Sequence, residues 1–326
     1  MNASVSSSHW TLNSLVRRHG LILVFFAVVL AMLIAKPTFG TYQNLVNILQ
    51  QNAVIGIIAC GMTFAIILGG FDLSVGSTTA LASVAGATLM IDIPDVGIPV
   101  GVVAAFVACL FVGATNGVLI AYIGVNPFVA TLGTMTVVRG LIYVMTNASP
   151  RFGVPYAFTE VGLGYIAGIP IPAIIFGLIA TLLGFVLHKT RFGHYVYAVG
   201  GNVVAAAEMG INARLVKFAV YVLVSACAAL SGIILIGQTA SATPQAALGY
   251  ELTAIAAVIV GGASLGGGRG RMVGTIIGVF LLGVVANALN LFGVSAFWQP
   301  VATGLILIFA VAMDGFSKRG TFAFSR

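Results

Sequence analysis

Apolar blocks follow one another along almost the whole chain, and they constrain the fold more than any other feature of the sequence. The hydrocarbon core of a bilayer is about 30 Å thick, so a helix needs roughly 20 apolar residues to cross it. Only 6% of the 326 residues are charged, whereas soluble chains carry about 25%. The blocks therefore predict an integral membrane protein of the all-α class, a polytopic helix bundle without a large soluble domain.

The block lengths predict about ten transmembrane helices in a single membrane domain over residues 20–316. The flanking segments 1–19 and 317–326 are predicted to be cytoplasmic tails. Many of the blocks contain Gly, Ala, Ser and Thr, which let helices pack closely in lipid. The predicted spans are 20–35, 46–68, 74–91, 98–122, 128–145, 167–187, 218–237, 253–265, 273–291 and 298–313.

The basic residues predict the orientation, because cytoplasmic loops carry an excess of Lys and Arg. With an even number of spans and a cytoplasmic N-terminus, eleven of the 14 Lys and Arg residues fall inside. Lys36 and Arg151 fall outside, and Arg139 lies near the outer end of the fifth span. The cytoplasmic set is Arg17, Arg18, Lys189, Arg191, Arg214, Lys217, Arg269, Arg271, Lys318, Arg319 and Arg326.

The longest polar interruption is the segment 188–217, which these charges place in the cytoplasm. Its centre, 203–209, is an Ala-rich run of good helix formers. Asn202 precedes the run as an N-cap candidate and Gly210 follows in a C-cap-like position. Either this is a solvated loop, or it is a short capped helix that binds another protein.

A weak internal repeat relates the stretch 67–76 to 259–268. The two stretches keep a glycine pair, a leucine and a final glycine at one offset, and both turns are predicted on the cytoplasmic side. Gly124 with Phe128 is echoed by Gly293 with Phe297. Transporters are commonly built from repeated halves, although chance similarity between Gly-rich membrane segments is the alternative.

The sequence contains no pattern that would make the chain an enzyme by itself. A P-loop motif is missing, so the chain has no phosphate-binding loop of that kind for a nucleotide. The histidines lie at membrane edges or in loops, and the three cysteines are far apart inside apolar segments. We therefore expect no catalytic residue, metal or cofactor on this chain, and no nucleic-acid partner.

Few ionisable residues lie within the predicted spans, where such groups are expensive and usually functional. Asp72 lies in the turn formed with Gly69, Gly70 and Ser74, and we expect it to cap the following helix. Arg139 either reaches outward, pairs with a carboxylate or lines a path for solute.

The spans offer neutral polar groups instead of buried charges, and these suit an uncharged polar solute. Each of them can equally hydrogen-bond between helices, which is the commoner role for any one. The candidates for a translocation path are Asn116, Thr131, Thr134, Arg139, Asn287 and Asn290.

A series of motifs resembles the permease subunit of ribose-type monosaccharide ABC importers, in order and at the family's spacing over about residues 40–314. The motifs are NILQQ (47–51), GGFDLSVGS (69–77), FVATLG (128–133), TRFG (190–193), AVGGN (198–202), GIN (210–212), GYEL (249–252), AAVIVGG (256–262) and GRG (268–270).

The resemblance implies a bacterial inner-membrane permease that translocates a neutral monosaccharide such as ribose, allose or xylose. It further implies a partner ABC ATPase that holds ATP and Mg²⁺, a periplasmic sugar-binding protein and a second permease copy. The segment 188–217 then matches the ATPase-coupling loop, with Arg191, Gly201, Asn202, Ala206, Glu208 and Gly210 as its contact candidates. An ion-coupled secondary sugar carrier is the alternative, and a channel-like facilitator comes third.

Overall fold

The computed structural model describes residues 12–93 and 95–323, with side chains described for 20–93 and 95–312, and it is almost entirely helical. The helices are α1 (Leu12–Ala35), α2 (Tyr42–Ile67), α3 (Val75–Asp92), α4 (Gly97–Val118), α5 (Pro127–Thr146), α6 (Tyr156–Leu163), α7 (Ile171–Lys189), α8 (Arg191–Gly201), α9 (Val203–Glu208), α10 (Ala213–Thr239), α11 (Tyr250–Val260), α12 (Met272–Leu291) and α13 (Trp298–Ala323). A 3₁₀ turn (Pro37–Gly40) precedes α2 and a π-helical turn (Leu119–Ile123) extends α4.

The predicted membrane helix bundle is confirmed. Seven helices of the described chain are long and apolar enough to cross a bilayer: α2, α3, α4 with its π-helical turn, α5, α7, α10 and α12. Three shorter apolar segments, Gly20–Ala35, Tyr250–Val260 and Trp298–Ala312, coincide with the remaining predicted spans. The total of ten crossings stays a prediction.

Several predicted boundaries shift by a few residues, and two of these shifts have a visible local cause. The helix predicted from residue 167 begins at Ile171, because the strands β2 (Tyr165–Ile166) and β3 (Ile169–Pro170) form an antiparallel hairpin just before it. The helix predicted to reach residue 265 ends at Val260, where Gly262 adopts a positive φ of 90°.

The core lies around α2, α3 and α10. Between Ala53 and Ile67, α2 is buried on nearly every face, which is expected of a helix that is apolar all round and central. The largest buried cluster joins α2 to α7, α10 and α11. Large side chains such as Ile34, Phe111 and Val144 are exposed on outer helices, where lipid would cover them.

The turns gather at two opposite ends of the bundle. One end, which we name the α9 face, carries the turns after α2 and α11 together with α8 and α9. At the other end, strand β1 (Arg151–Phe152) pairs with β4 (Ser241–Ala242). Arg151 also forms a salt bridge with Asp92 there, at 2.6 Å. At the α9 face the two repeat turns touch each other, since the Gly268 N–H donates to the Ile67 carbonyl. They therefore share one face, as predicted.

The predicted tails only partly lie within the described structure. Residues 12–19 are helical as part of α1, and 317–323 continue α13. Residues 1–11 and 324–326, and the side chains of the tail cations Arg17, Arg18, Lys318, Arg319 and Arg326, lie outside what the structure describes. Helices α6 and α8 and the 3₁₀ turn were absent from the sequence prediction because they are shorter than any membrane span.

Candidate functional site

Helix α9 is the most exposed structured element of the α9 face. Its N-cap is Asn202, whose Oδ1 accepts hydrogen bonds from the backbone N–H of Val204 at 3.0 Å and of Ala205 at 3.1 Å. It is followed by Gly210, with a φ of 78°, and by a hydrogen bond from the Ile211 N–H to the Ala206 carbonyl at 3.0 Å. The predicted capped helix is confirmed, with the αL C-cap that glycine favours.

The surface of α9 points outward, away from the bundle. Only Ala206 is buried, at 0% exposure, and it joins the main hydrophobic cluster. Val204 is 64% and Met209 69% exposed, and Glu208 is exposed as well. The exposed side of α9 thus combines large apolar side chains with one acid.

Three backbone segments meet next to the start of α9: the turn after α2, the end of α8 and the loop between α11 and α12. We name this contact the glycine junction, and it consists of Gly69, Gly200, Gly201, Gly267 and Gly268. The Gly268 N–H donates to the Ile67 carbonyl at 2.7 Å. A Cβ on Gly267 would lie 3.0 Å from the Gly69 Cα, and one on Gly268 would lie 2.9 Å from the Gly201 Cα.

A Cβ on Gly200 would overlap the Ile67 carbonyl oxygen. The end of α8 thus touches the turn after α2 and the loop after α11 without intervening side chains.

Helix α8 is held to the bundle by its apolar side. Phe192 stacks on Phe64 of α2 with ring centroids 6.1 Å apart, and the Tyr197 hydroxyl donates to the Gly270 carbonyl at 2.7 Å. Burial raises the pKa of the Tyr197 hydroxyl, so it stays a donor at neutral pH. Arg191, the first residue of α8, is exposed to solvent.

The predicted structural turn contains a buried polar network. Asp72 Oδ1 accepts from the Ser74 backbone N–H at 2.8 Å and from the Ser74 hydroxyl at 2.5 Å. The Asn116 amide donates to Ser74 Oγ at 2.9 Å, and Thr134 Oγ1 donates to Asn116 Oδ1 at 2.7 Å. Asp72 therefore fixes Ser74, the N-cap residue of α3, and does not itself contact the first helical N–H groups.

The path candidates within this network, Asn116 and Thr134, tie α4 and α5 to the turn before α3. Asn116 has no exposed surface, and Thr131, also buried, donates to the Pro127 carbonyl of its own helix at 2.8 Å. In the isolated chain these three groups are satisfied by protein partners and do not face an open cavity.

The remaining path candidates lie apart from that network and bind other elements. Arg139 Nη1 donates to the carbonyls of Pro244 at 2.8 Å and Ala246 at 3.1 Å, holding the segment before α11. Asn287 and Asn44 exchange side-chain hydrogen bonds at 2.8 and 3.1 Å, which joins α12 to α2.

Asn290 Oδ1 accepts from Gln299 Nε2 at 3.0 Å, across the turn that leads into α13. The structure therefore does not bring the six path candidates together into one site.

A cavity of about 310 Å³ lies between α2, α11, α12 and α13, and sequence reasoning did not find it. This volume is at the lower end of the range for small-molecule sites. Asn52, Tyr250, Thr253, Gln299 and Thr303 give its mainly apolar wall a few polar groups. The polar residues within apolar spans could be recognised from the sequence. Only the packing of the helices shows which of them line the same cavity.

The chain belongs to the family described as the permease component of the branched-chain amino acid transport system, whose match covers residues 44–311. Together with the helices long enough to cross a bilayer, this membership makes the chain a multi-pass inner-membrane transport permease. No solved structure matches the chain.

The curated relatives are sugar permeases. The chain is 44% identical over 305 residues to a ribose import permease of Bacillus subtilis (strain 168), covering 93% of this chain and 94% of that protein. It is 43% identical over 304 residues to the ribose import permease of Escherichia coli (strain K12), with 90% and 91% covered. It is 38% identical over 315 residues to the galactose/methyl galactoside import permease of the same strain, with 91% and 94% covered.

Proposed function

We propose that this chain is the transmembrane permease of a ribose-type ABC importer and moves a neutral monosaccharide inward. The observation that carries the proposal is the identity of 44% and 43% to two ribose permeases, although at 38% identity the relatives include both a ribose permease of Haemophilus influenzae and a galactose permease. Ribose is therefore the first substrate to test. The bacterial inner membrane is the expected location, with both termini in the cytoplasm.

The energy for uptake comes, in this proposal, from a partner ATPase that docks on the α9 face. The chain would bind no nucleotide itself, because its sequence lacks a P-loop; ATP and Mg²⁺ would sit on the partner. Helix α9 would be capped by Asn202 and Gly210, anchored to the bundle by Ala206, and would expose Glu208 to the partner. Arg191 and Gly201 are the first and last residues of the adjoining helix α8.

Coupling would run through the glycine junction. A partner that binds one conformation better than the other shifts the equilibrium between them by its difference in affinity. Helix α9 follows α8 directly, and α8 touches both repeat turns through backbone alone. Displacing α9 would therefore move the turn after α2 and the loop after α11 together. Interfaces packed this closely switch between discrete arrangements rather than deforming gradually.

The cavity between α2, α11, α12 and α13 is the proposed sugar path, in place of the predicted set of six residues. It is lined by Asn52, Thr253 and Gln299. Their side chains donate to Ile48, Gly249 and Asn290 in this structure, and sugar hydroxyls would use their remaining hydrogen-bonding capacity or replace those bonds. A second copy of the chain would complete the pathway, and a periplasmic binding protein would deliver sugar at the end that carries Asp92 and Arg151.

Uptake in proteoliposomes tests this proposal. The chain would be reconstituted with its partner ATPase and binding protein, and labelled ribose, galactose and arabinose compared with ATP inside. We expect uptake that requires ATP and is lost when the ATPase carries an inactivating substitution. Uptake that persists without the ATPase and follows a proton or sodium gradient would contradict the importer and support the secondary carrier.

A further inference from the structure

A large basic cleft opens on the α9 face between α1, α7, α8 and the start of α12. Its volume is about 1150 Å³. We define the basic cleft by its two histidines and two arginines, His188, His194, Arg269 and Arg271; Tyr197 also lies in its wall. None of the described residues that line it is acidic.

The loop that carries the two arginines is anchored to α8, and within the described part of the chain no carboxylate pairs with either arginine. Tyr197 anchors the loop between them through its hydrogen bond to the Gly270 carbonyl, 2.7 Å long, and the His188 ring stacks against Tyr197 with centroids 6.3 Å apart. Both arginines are exposed, and among the described residues neither has a carboxylate within 4.0 Å. The loop thus presents two positive charges that no carboxylate of the described residues neutralises.

An apolar groove of about 560 Å³ continues from the basic cleft along the bundle. The two spaces share Leu21 and Gly262 in their walls. Beyond them the groove is lined by apolar side chains of α1, α11, α12 and α13, including Val24, Leu281 and Phe309, with no charged residue among its described lining.

We propose that the basic cleft and the apolar groove together bind one anionic phospholipid. The phosphate would lie between Arg269 and Arg271, and an acyl chain would fill the groove beside Val24 and Leu281. Basic pockets between membrane helices on the cytoplasmic side suit anionic head groups, and arginine forks match phosphate geometry. A free phosphate would use the basic cleft alone, so the continuous apolar groove is what favours a lipid.

The lipid would also contact a loop that reaches the glycine junction. Its ligands lie on the segment Gly261–Arg271, which contributes Gly267 and Gly268 to the glycine junction. An occupied site would therefore restrain the same turn that α8 touches. Binding would be favoured in membranes rich in anionic lipid.

Native mass spectrometry of the full-length chain in detergent tests the site, with phosphatidylglycerol compared against phosphatidylcholine of identical acyl chains. We expect preferential retention of phosphatidylglycerol, and a loss of roughly tenfold or more in its affinity for R269Q/R271Q. The matched control R214Q/K217Q removes the same charge from the same face but outside both lining sets, and should retain the wild-type affinity. An equal loss in both variants would show a general charge effect and overturn the site.

The groove is tested separately by Val24→Trp, which adds bulk without changing charge. It should weaken binding of the long-chain lipid while leaving a dihexanoyl phosphatidylglycerol unaffected, because the short chains do not reach the groove. Equal retention of the two head groups by the wild type would reject the proposal, and so would an unchanged R269Q/R271Q. Should that double variant fail to fold, R269K/R271K keeps the charge but loses the fork, and an affinity equal to that of the wild type would overturn the bidentate arginine contact that the proposal assigns to the phosphate.

Discussion

The backbone N–H of Gly268 donates a hydrogen bond to the carbonyl oxygen of Ile67 over 2.7 Å. These residues belong to the two stretches that the internal repeat relates, yet they are 201 positions apart (268 − 67). The bond uses backbone atoms only, so no side-chain deletion removes it. A side chain added to a neighbouring glycine can push the two segments apart and break the bond. A glycine-to-alanine substitution therefore tests the glycine junction.

Gly200→Ala should destabilise the protein and reduce uptake, because its Cβ would overlap the Ile67 carbonyl oxygen. Overpacking of this kind costs about 1 to 3 kcal/mol. Thermal unfolding in detergent and ATP-driven uptake measure the two effects. The control is Gly177→Ala in α7, where an added Cβ meets nothing within 4 Å. If both variants behave alike, the glycine junction is not closely packed.

Asn202→Ala should loosen α9 while leaving the membrane bundle intact, since it removes the acceptor for the N–H groups of Val204 and Ala205. Loss of an N-cap costs about 1 kcal/mol. We expect weaker association with the partner ATPase, measured by co-purification, at an unchanged melting temperature of the bundle. Asn202→Asp keeps an N-cap acceptor and should rescue association. Equal association of all three proteins would argue against α9 as the docking element.

Asp72→Ala should unfold the protein more readily than any loss of a surface carboxylate, because Asp72 is fully buried and accepts two hydrogen bonds from Ser74. Leaving such buried donors unpaired costs about 1 to 3 kcal/mol per group. Chemical or thermal unfolding gives the difference. Thr115→Ala, which removes a hydroxyl bonded only within α4, should change stability far less; a similar loss in that variant would contradict the role of the network.

Thr303→Trp should abolish uptake while preserving ATPase association, because residue 303 lines the cavity between α2, α11, α12 and α13. Ile308→Trp on the same helix is the matched control, since Ile308 is 68% exposed and would meet lipid. Labelled ribose uptake separates the two variants. Normal uptake by Thr303→Trp would place the sugar path elsewhere in the bundle.

Local signals made α9 predictable from the sequence. Asn202, an Ala-rich run and Gly210 act within a few residues of one another, and the capped helix depends on nothing distant. Apolar length likewise predicted the bundle. Neither property required knowledge of the packing.

Long-range contacts could not be predicted in the same way. Asn116 and Asn287 stood out as polar groups in apolar spans, but their partners, Ser74 and Asn44, lie elsewhere in the chain. The repeat shows the same limit: its alignment pairs Gly69 with Gly261, whereas the structure gives the positive φ to Gly69 and Gly262. Side-chain identity alone did not reveal which glycine of the second pair carries the turn.

Helix α11 is too short to cross a bilayer by itself. Its 11 residues extend about 16 Å at 1.5 Å per residue, roughly half of a hydrocarbon core. If α11 takes part in a membrane crossing, the segment before it, whose carbonyls bind Arg139, would complete that crossing without helical hydrogen bonding. Such backbone is tolerated only where protein covers it or water reaches it. We therefore expect loop residues, rather than a continuous helix, to close the bundle at this place, so that displacing them would open a path for solute.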